Sequence, residues 1–131
     1  MSIKIAIGSD HAGFELKEKL IAYLKAKNNT VIDKGCYSSE RADYPDYGHA
    51  VAMAILNKES QFGILMCGSG NGINITANKH KGIRAALCWN SEIATLARQH
   101  NDANILVLPA RYMSVEEAHK CIDAFLTEKF D

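Results

Sequence analysis

The chain has 131 residues, 47% of them hydrophobic and 23% charged, the balance of a single globular domain able to bury a full core. Fifteen Lys and Arg against fifteen Asp and Glu leave no basic surplus, which argues against a nucleic-acid partner. No apolar run approaches the roughly 18 residues of a membrane span, and Met1-Ser2-Ile3-Lys4 opens no export signal, so a cytoplasmic protein with reduced thiols is expected.

Residues 3–7 are an apolar, β-rich run that predicts a first strand stopped at Gly8. Leu16, Leu20, Tyr23 and Leu24 then share one helical face. Residues 30–32 predict a short second strand. Pro45 and Asp46 suit the first turn of a helix, whose buried stripe is Val51, Ala54 and Ile55. Residues 62–67 predict a third strand, apolar without alternation and therefore covered on both faces. Residues 83–87 predict a fourth strand, Ile93, Leu96 and Ala97 mark the next helix, and residues 105–108 predict a fifth strand. Ser114 and Glu117 form a capping box opening a last helix, with Ala118, Ile122 and Phe125 inward. Strands alternating with helices predict parallel βαβ units. The expected fold is α/β: a Rossmann-like, three-layer α/β/α sandwich with a five-stranded parallel sheet, one domain over 1–131.

An open parallel sheet binds ligands at the carboxyl ends of its strands. That rule selects Gly8-Ser9-Asp10-His11-Ala12-Gly13 after strand one, Cys67-Gly68-Ser69-Gly70-Asn71-Gly72-Ile73 after strand three, and Pro109-Ala110-Arg111 after strand five. Gly68, Gly70 and Gly72 let the backbone approach a ligand and turn its N–H groups inward. A helix is expected just after them, adding the positive end of its dipole. The loop is neither a dinucleotide fingerprint, because Ile73 stands where the third Gly would be, nor a Walker loop, because no Gly-Lys-Ser/Thr follows. A tight strand-to-helix turn would also need glycine.

Cys67 precedes this loop, and a thiol beside converging N–H donors loses its proton more easily and becomes a usable base or nucleophile. By position alone it is equally a small buried hydrophobe. With Cys36, Cys88 and Cys121 it forms no C-x-x-C pair, and no His stands at finger spacing, so no metal site is expected. Asp10 and His11 stand where an acid and an imidazole can meet a polar ligand, although Asp10 could simply cap a helix. His100-Asn101-Asp102-Ala103-Asn104 is dense in polar groups, and a helix C-cap with a polar turn would explain it too. It leads into the amino end of strand five, away from the glycine loop. Within one subunit His100 should not reach Cys67, so it is either structural or supplied to a neighbour.

The chain resembles the ribose-5-phosphate isomerase B family, which also contains allose-6-phosphate and galactose-6-phosphate isomerases. The resemblance rests on Gly8-Ser9-Asp10-His11-Ala12-Gly13-Phe14, Asp33-Lys34-Gly35, Ser39-Glu40-Arg41, Asp43-Tyr44-Pro45, the run from Cys67 to Ile73, Ala77-Asn78-Lys79, Gly82-Ile83-Arg84-Ala85 and the run from Arg98 to Asn104. These follow the family's order across nearly the whole chain.

The resemblance implies an aldose–ketose isomerase that works without metal or cofactor through a cis-enediolate, interconverting ribose 5-phosphate and ribulose 5-phosphate. Allose or galactose 6-phosphate, or a non-catalytic phosphosugar-binding role, are the alternatives. It implies Cys67 as the base. Some members use a Glu just after the glycine loop, but here that position is Ile73, so the chain resembles the cysteine type. It assigns the enediolate oxygen to the loop Gly68, Gly70, Asn71 and Gly72, with Ser69 orienting the reacting oxygens. His100 would be the acid that opens the sugar ring, Asn101 would bind substrate, Asp10 and His11 would lie near the substrate's end, and Arg111 would pair with phosphate. It further implies a homodimer or a dimer of dimers with each site shared between subunits. The family's phosphate-binding arginines beyond the last helix have no counterpart before Asp131, so Arg111 and His11 are expected to hold the phosphate with less help.

Overall fold

The computed structural model describes residues 2–131. Five strands, β1 (Lys4–Ser9), β2 (Thr30–Asp33), β3 (Phe62–Cys67), β4 (Ala85–Leu87) and β5 (Ile105–Pro109), form one sheet in the order β2-β1-β3-β5-β4. Every pairing is parallel. Five helices connect and follow them: α1 (Phe14–Ala26), α2 (Tyr44–Leu56), α3 (Asn71–Ala77), α4 (Ser91–Asn101) and α5 (Val115–Thr127).

Alternation along the strands sorts the core into two layers. Ile5, Ile7, Ile64, Met66, Leu106 and Leu108 face α1, α4 and α5, where Leu20, Ala94 and Phe125 meet them. Ala6, Leu65, Cys67, Ile105 and Val107 face α2 and α3, where Val51 and Ile73 meet them. The expected α/β/α sandwich is therefore present. Burial of both faces explains why the strands read as unbroken apolar runs.

The strand boundaries differ from expectation in two places. β1 runs through Gly8 to Ser9, because Ser9 donates to the Gly35 carbonyl at 2.6 Å and accepts from the Cys36 amide at 2.8 Å. β4 begins at Ala85, since Ile83 is held in the preceding turn by a bond from its amide to the His80 carbonyl at 3.1 Å. The capping box is also only half realised. Ser114 Oγ accepts from the Glu117 amide at 3.1 Å, but the Glu117 carboxylate accepts from the Ser91 amide at 2.9 Å. It satisfies an orphan donor at the start of α4 instead of the Ser114 amide, and so ties α5 to α4.

The strand order places a switch point between β1 and β3, where successive connections leave in opposite directions. The loops after these two strands bound a crevice at the carboxyl edge. No helix is long and apolar enough to cross a membrane among the described residues.

Candidate active site

Cys67 is the last residue of β3, registered against Pro109 of β5, and only 5% exposed. Its side chain belongs to the α2/α3 face with Val51, Ile73 and Val107. The chain then turns through Gly68, Ser69 and Gly70 into α3. Gly70 has φ 84, a left-handed conformation from which successive N–H groups can converge on an anion. Ser69 stands exposed at the rim, its Oγ accepting from the Asn71 amide at 3.3 Å and from Asn71 Nδ2 at 3.2 Å. These two bonds fix the hydroxyl oxygen beside the loop.

Arg111 lies in the short turn Ala110–Tyr112 that follows β5. Its amide donates to the Gly68 carbonyl at 3.0 Å. Its guanidinium passes over the glycine, with Nη1 3.2 Å from the place a Cβ on residue 68 would occupy. A positive fork thus sits directly on the glycine loop.

The turn His11–Gly13 after β1 packs against the Arg111 turn and against β3. Asp10 caps it, Oδ1 accepting from the Gly13 amide at 3.2 Å, so the capping role is real. The carboxylate is nevertheless at the crevice, and its second oxygen remains for a ligand. His11 Nδ1 lies 3.1 Å from the Ala42 carbonyl and 3.2 Å from the Ala42 amide. Either tautomer engages Nδ1 and leaves Nε2 for a ligand. The loop bearing Ala42 is anchored by Asp33, whose carboxylate takes both oxygens to Lys17 Nζ at 2.8 Å and accepts the Gly35 amide at 2.9 Å.

In the sequence Tyr44 stands only within the matched stretch Asp43-Tyr44-Pro45, with no role assigned to it. The Tyr44 ring lies on Gly72, with Cζ 2.6 Å from where a Cβ would stand. Its signal was an aromatic residue at a helix start, facing a glycine that only a small side chain could replace.

His100 and Asn101 end α4, exposed, beside the amino end of β5. Cys67 is at the carboxyl end of the neighbouring strand. One chain therefore brings together Asp10, His11, Cys67, Ser69, the glycine loop and Arg111, and leaves His100 and Asn101 apart from them. Among the other thiols, burial pushes Cys88 and Cys121 from 9.0 up to about 12, with a contribution from Cys121 to the first and from Glu117 to the second. Both belong to the α1/α4/α5 layer, not to the crevice. Among the described residues, no group of three or more His, Cys, Asp or Glu side chains is placed to hold a metal ion.

A crevice with a buried thiol, a glycine loop and an overlying guanidinium is suited to a phosphorylated substrate whose reaction passes through an oxyanion. A family model described as Ribose/Galactose Isomerase matches residues 5–131. The chain belongs to the ribose/galactose isomerase family.

Its relatives within that family agree over nearly full length. Ribose-5-phosphate isomerase B of Escherichia coli is 48% identical over 128 residues, 98% of this chain and 86% of that protein. The crystal structure of a ribose 5-phosphate isomerase from Thermotoga maritima matches with a TM-score of 0.97 at 55% identity, covering 98% of this chain and 89% of that one. Ribose-5-phosphate isomerase B of Clostridium thermocellum matches with a TM-score of 0.97 at 47% identity, covering 98% and 86%.

Proposed function

We propose that the chain interconverts ribose 5-phosphate and ribulose 5-phosphate, with Cys67 moving the proton. The Cys67 thiolate removes the proton from C2 of the open-chain aldose. The electron pair moves into the C1–C2 bond and O1 takes the charge. The loop from Gly68 to Gly72 stabilises that enediolate, since prepositioned N–H donors act where charge develops. Cys67 returns the proton to C1, the O2 hydroxyl proton passes to O1, and O2 becomes the ketone. Ser69 orients the two reacting oxygens. Arg111 and His11 hold the phosphate, and Asp10 contacts the sugar hydroxyls.

Ring opening of the aldose needs an acid, and the groups of the site within the chain are taken up by other roles. His100 of the partner subunit supplies it, and Asn101 of the partner subunit binds the substrate, so the working unit is a homodimer or a dimer of dimers. We place that work in the cytoplasm, where four free thiols stay reduced. The observation that carries this reading is the Arg111 guanidinium lying over Gly68, one residue from Cys67.

Initial rates with ribose 5-phosphate, allose 6-phosphate and galactose 6-phosphate test it. The reading expects the pentose to be turned over with the highest kcat/KM. A hexose phosphate preferred over it would overturn the substrate assignment.

A further inference from the structure

We propose that Arg84 is a positioning residue for the proton-donating end of α4, acting through one hydrogen bond from Nε. This rests on the assignment of His100 and Asn101 to the shared site. Arg84 precedes β4, and its Nε donates to the Asn101 carbonyl at 2.5 Å. That carbonyl is one of the orphan acceptors every helix leaves at its C-terminus. The neighbouring turn spends its other donors elsewhere. The Asp102 and Ala103 amides go to the Ala97 carbonyl, and Arg98 Nη1 reaches Asp102 Oδ1 at 3.1 Å and the Ala103 carbonyl at 2.6 Å. Gln99 in the same turn is tied to the chain after α5, its carbonyl accepting from the Asp131 amide at 3.0 Å and its Nε2 donating to Glu128 Oε1 at 2.6 Å, whereas Arg84 is the side chain that bonds Asn101 itself, next to His100.

The backbone of the anchor is itself held in place. The Arg84 amide donates to Asn104 Oδ1 at 2.8 Å, the Asn104 amide donates to the Arg84 carbonyl at 2.9 Å, and Asn104 Nδ2 donates to the Gly82 carbonyl at 3.0 Å. The side chain also borders a hollow of about 370 Å³ lined by Asn78, Ala86 and Asn101. The Arg84 bond is the side-chain hydrogen bond that the Asn101 carbonyl receives. A residue that must enter a neighbour's site gains most from such a tether, because misplacement of a reacting group by an ångström costs about 100-fold in rate.

The choice of variants isolates the bond. Glutamine places an amide nitrogen at the position of Nε, whereas methionine fills similar space with no donor. The substrates isolate the step. Ribose 5-phosphate must be opened, whereas 4-deoxyribose 5-phosphate has no O4 and is always open-chain. Arg84→Met should lower kcat on ribose 5-phosphate by about 10- to 100-fold and change the open-chain analogue by less than about threefold, the pattern of His100→Ala, while Arg84→Gln stays near wild type. Equal losses of Arg84→Met on both substrates, or equal losses in Arg84→Gln and Arg84→Met, would overturn the proposal in favour of general support of the fold. Unchanged turnover of ribose 5-phosphate by Arg84→Met would overturn it as well. If Arg84→Met does not fold, Arg84→Gln decides alone: a loss beyond about threefold on ribose 5-phosphate contradicts the tether. Should His100→Ala itself impair both substrates equally, the assignment of His100 falls, and the tether with it.

Discussion

The amide of Arg111 donates to the carbonyl of Gly68 at 3.0 Å while its guanidinium covers the same glycine. The backbone bond fixes the turn after β5 to the loop after β3, so the Arg111 side chain starts from a fixed point beside the glycine loop. A phosphate dianion is best gripped by charge-assisted donors, and the Arg fork offers two in parallel. Hydrogen bonds to charged groups contribute roughly 1.5–3 kcal/mol, so Arg111→Ala should raise KM for ribose 5-phosphate about 10- to 100-fold. The unphosphorylated sugar should lose much less. Steady-state kinetics on both sugars check this, and equal losses would make Arg111 a structural residue.

The separation of His100 from Cys67 within one chain predicts complementation between subunits. Cys67→Ala and His100→Ala should each turn over ribose 5-phosphate far more slowly than wild type when alone. Hybrid dimers should regain activity, because one of their two sites then has both groups. Mixing differently tagged variants, confirming subunit exchange by mass, and assaying the hybrid fraction checks it. No recovery in a confirmed hybrid contradicts the shared site.

Lys17 is wholly buried and Asp33 is 30% exposed, and this asymmetry ranks two substitutions. Asp33→Asn leaves a buried ammonium without its counter-charge, facing the Phe14 and Tyr37 rings at 5.4 and 5.8 Å. Breaking a buried pair costs about 3–5 kcal/mol, and Asp33→Asn should lie in that range. Lys17→Met leaves a carboxylate that water can reach and should cost less. Urea denaturation of both variants measures the difference. The same order should appear in substrate affinity, since Asp33 anchors the loop that holds His11.

The fold and the position of the candidate site were more legible in the sequence than the supports around it. The placement of Cys67, the glycine loop and Arg111 at strand carboxyl ends was readable, because alternating strands and helices fix which loops meet at that edge of a parallel sheet. The distance of His100 from Cys67 followed from the same rule. The contact of Tyr44 with Gly72 was not readable, because it depends on how α2 lies over α3, which is a packing fact. Ser9 looked like loop, since only the backbone partners at Gly35 and Cys36 make it strand. Glu117 had two amides within reach, and only the placement of α4 decides for Ser91.

Cys88 and Cys121 predict an alkaline weakness. Folded, they hold their protons up to about 12, against 9.0 for an ordinary thiol. Their contribution to stability is complete below the lower value. Between the two values the unfolded chain binds fewer protons, so stability falls as pH rises. The melting temperature of the double variant Cys88→Ala/Cys121→Ala should therefore fall less between about pH 8 and pH 11 than that of the wild type. Parallel slopes would show that these thiols do not set the alkaline limit.

Turnover of ribose 5-phosphate by Cys67→Ala, measured beside wild type with phosphosugar binding followed by calorimetry, tests the central claim. Removing the base should lower kcat by about 10²–10⁴-fold and leave the dissociation constant nearly unchanged. Turnover within about threefold of wild type would contradict Cys67 as the group that carries the proton between C2 and C1.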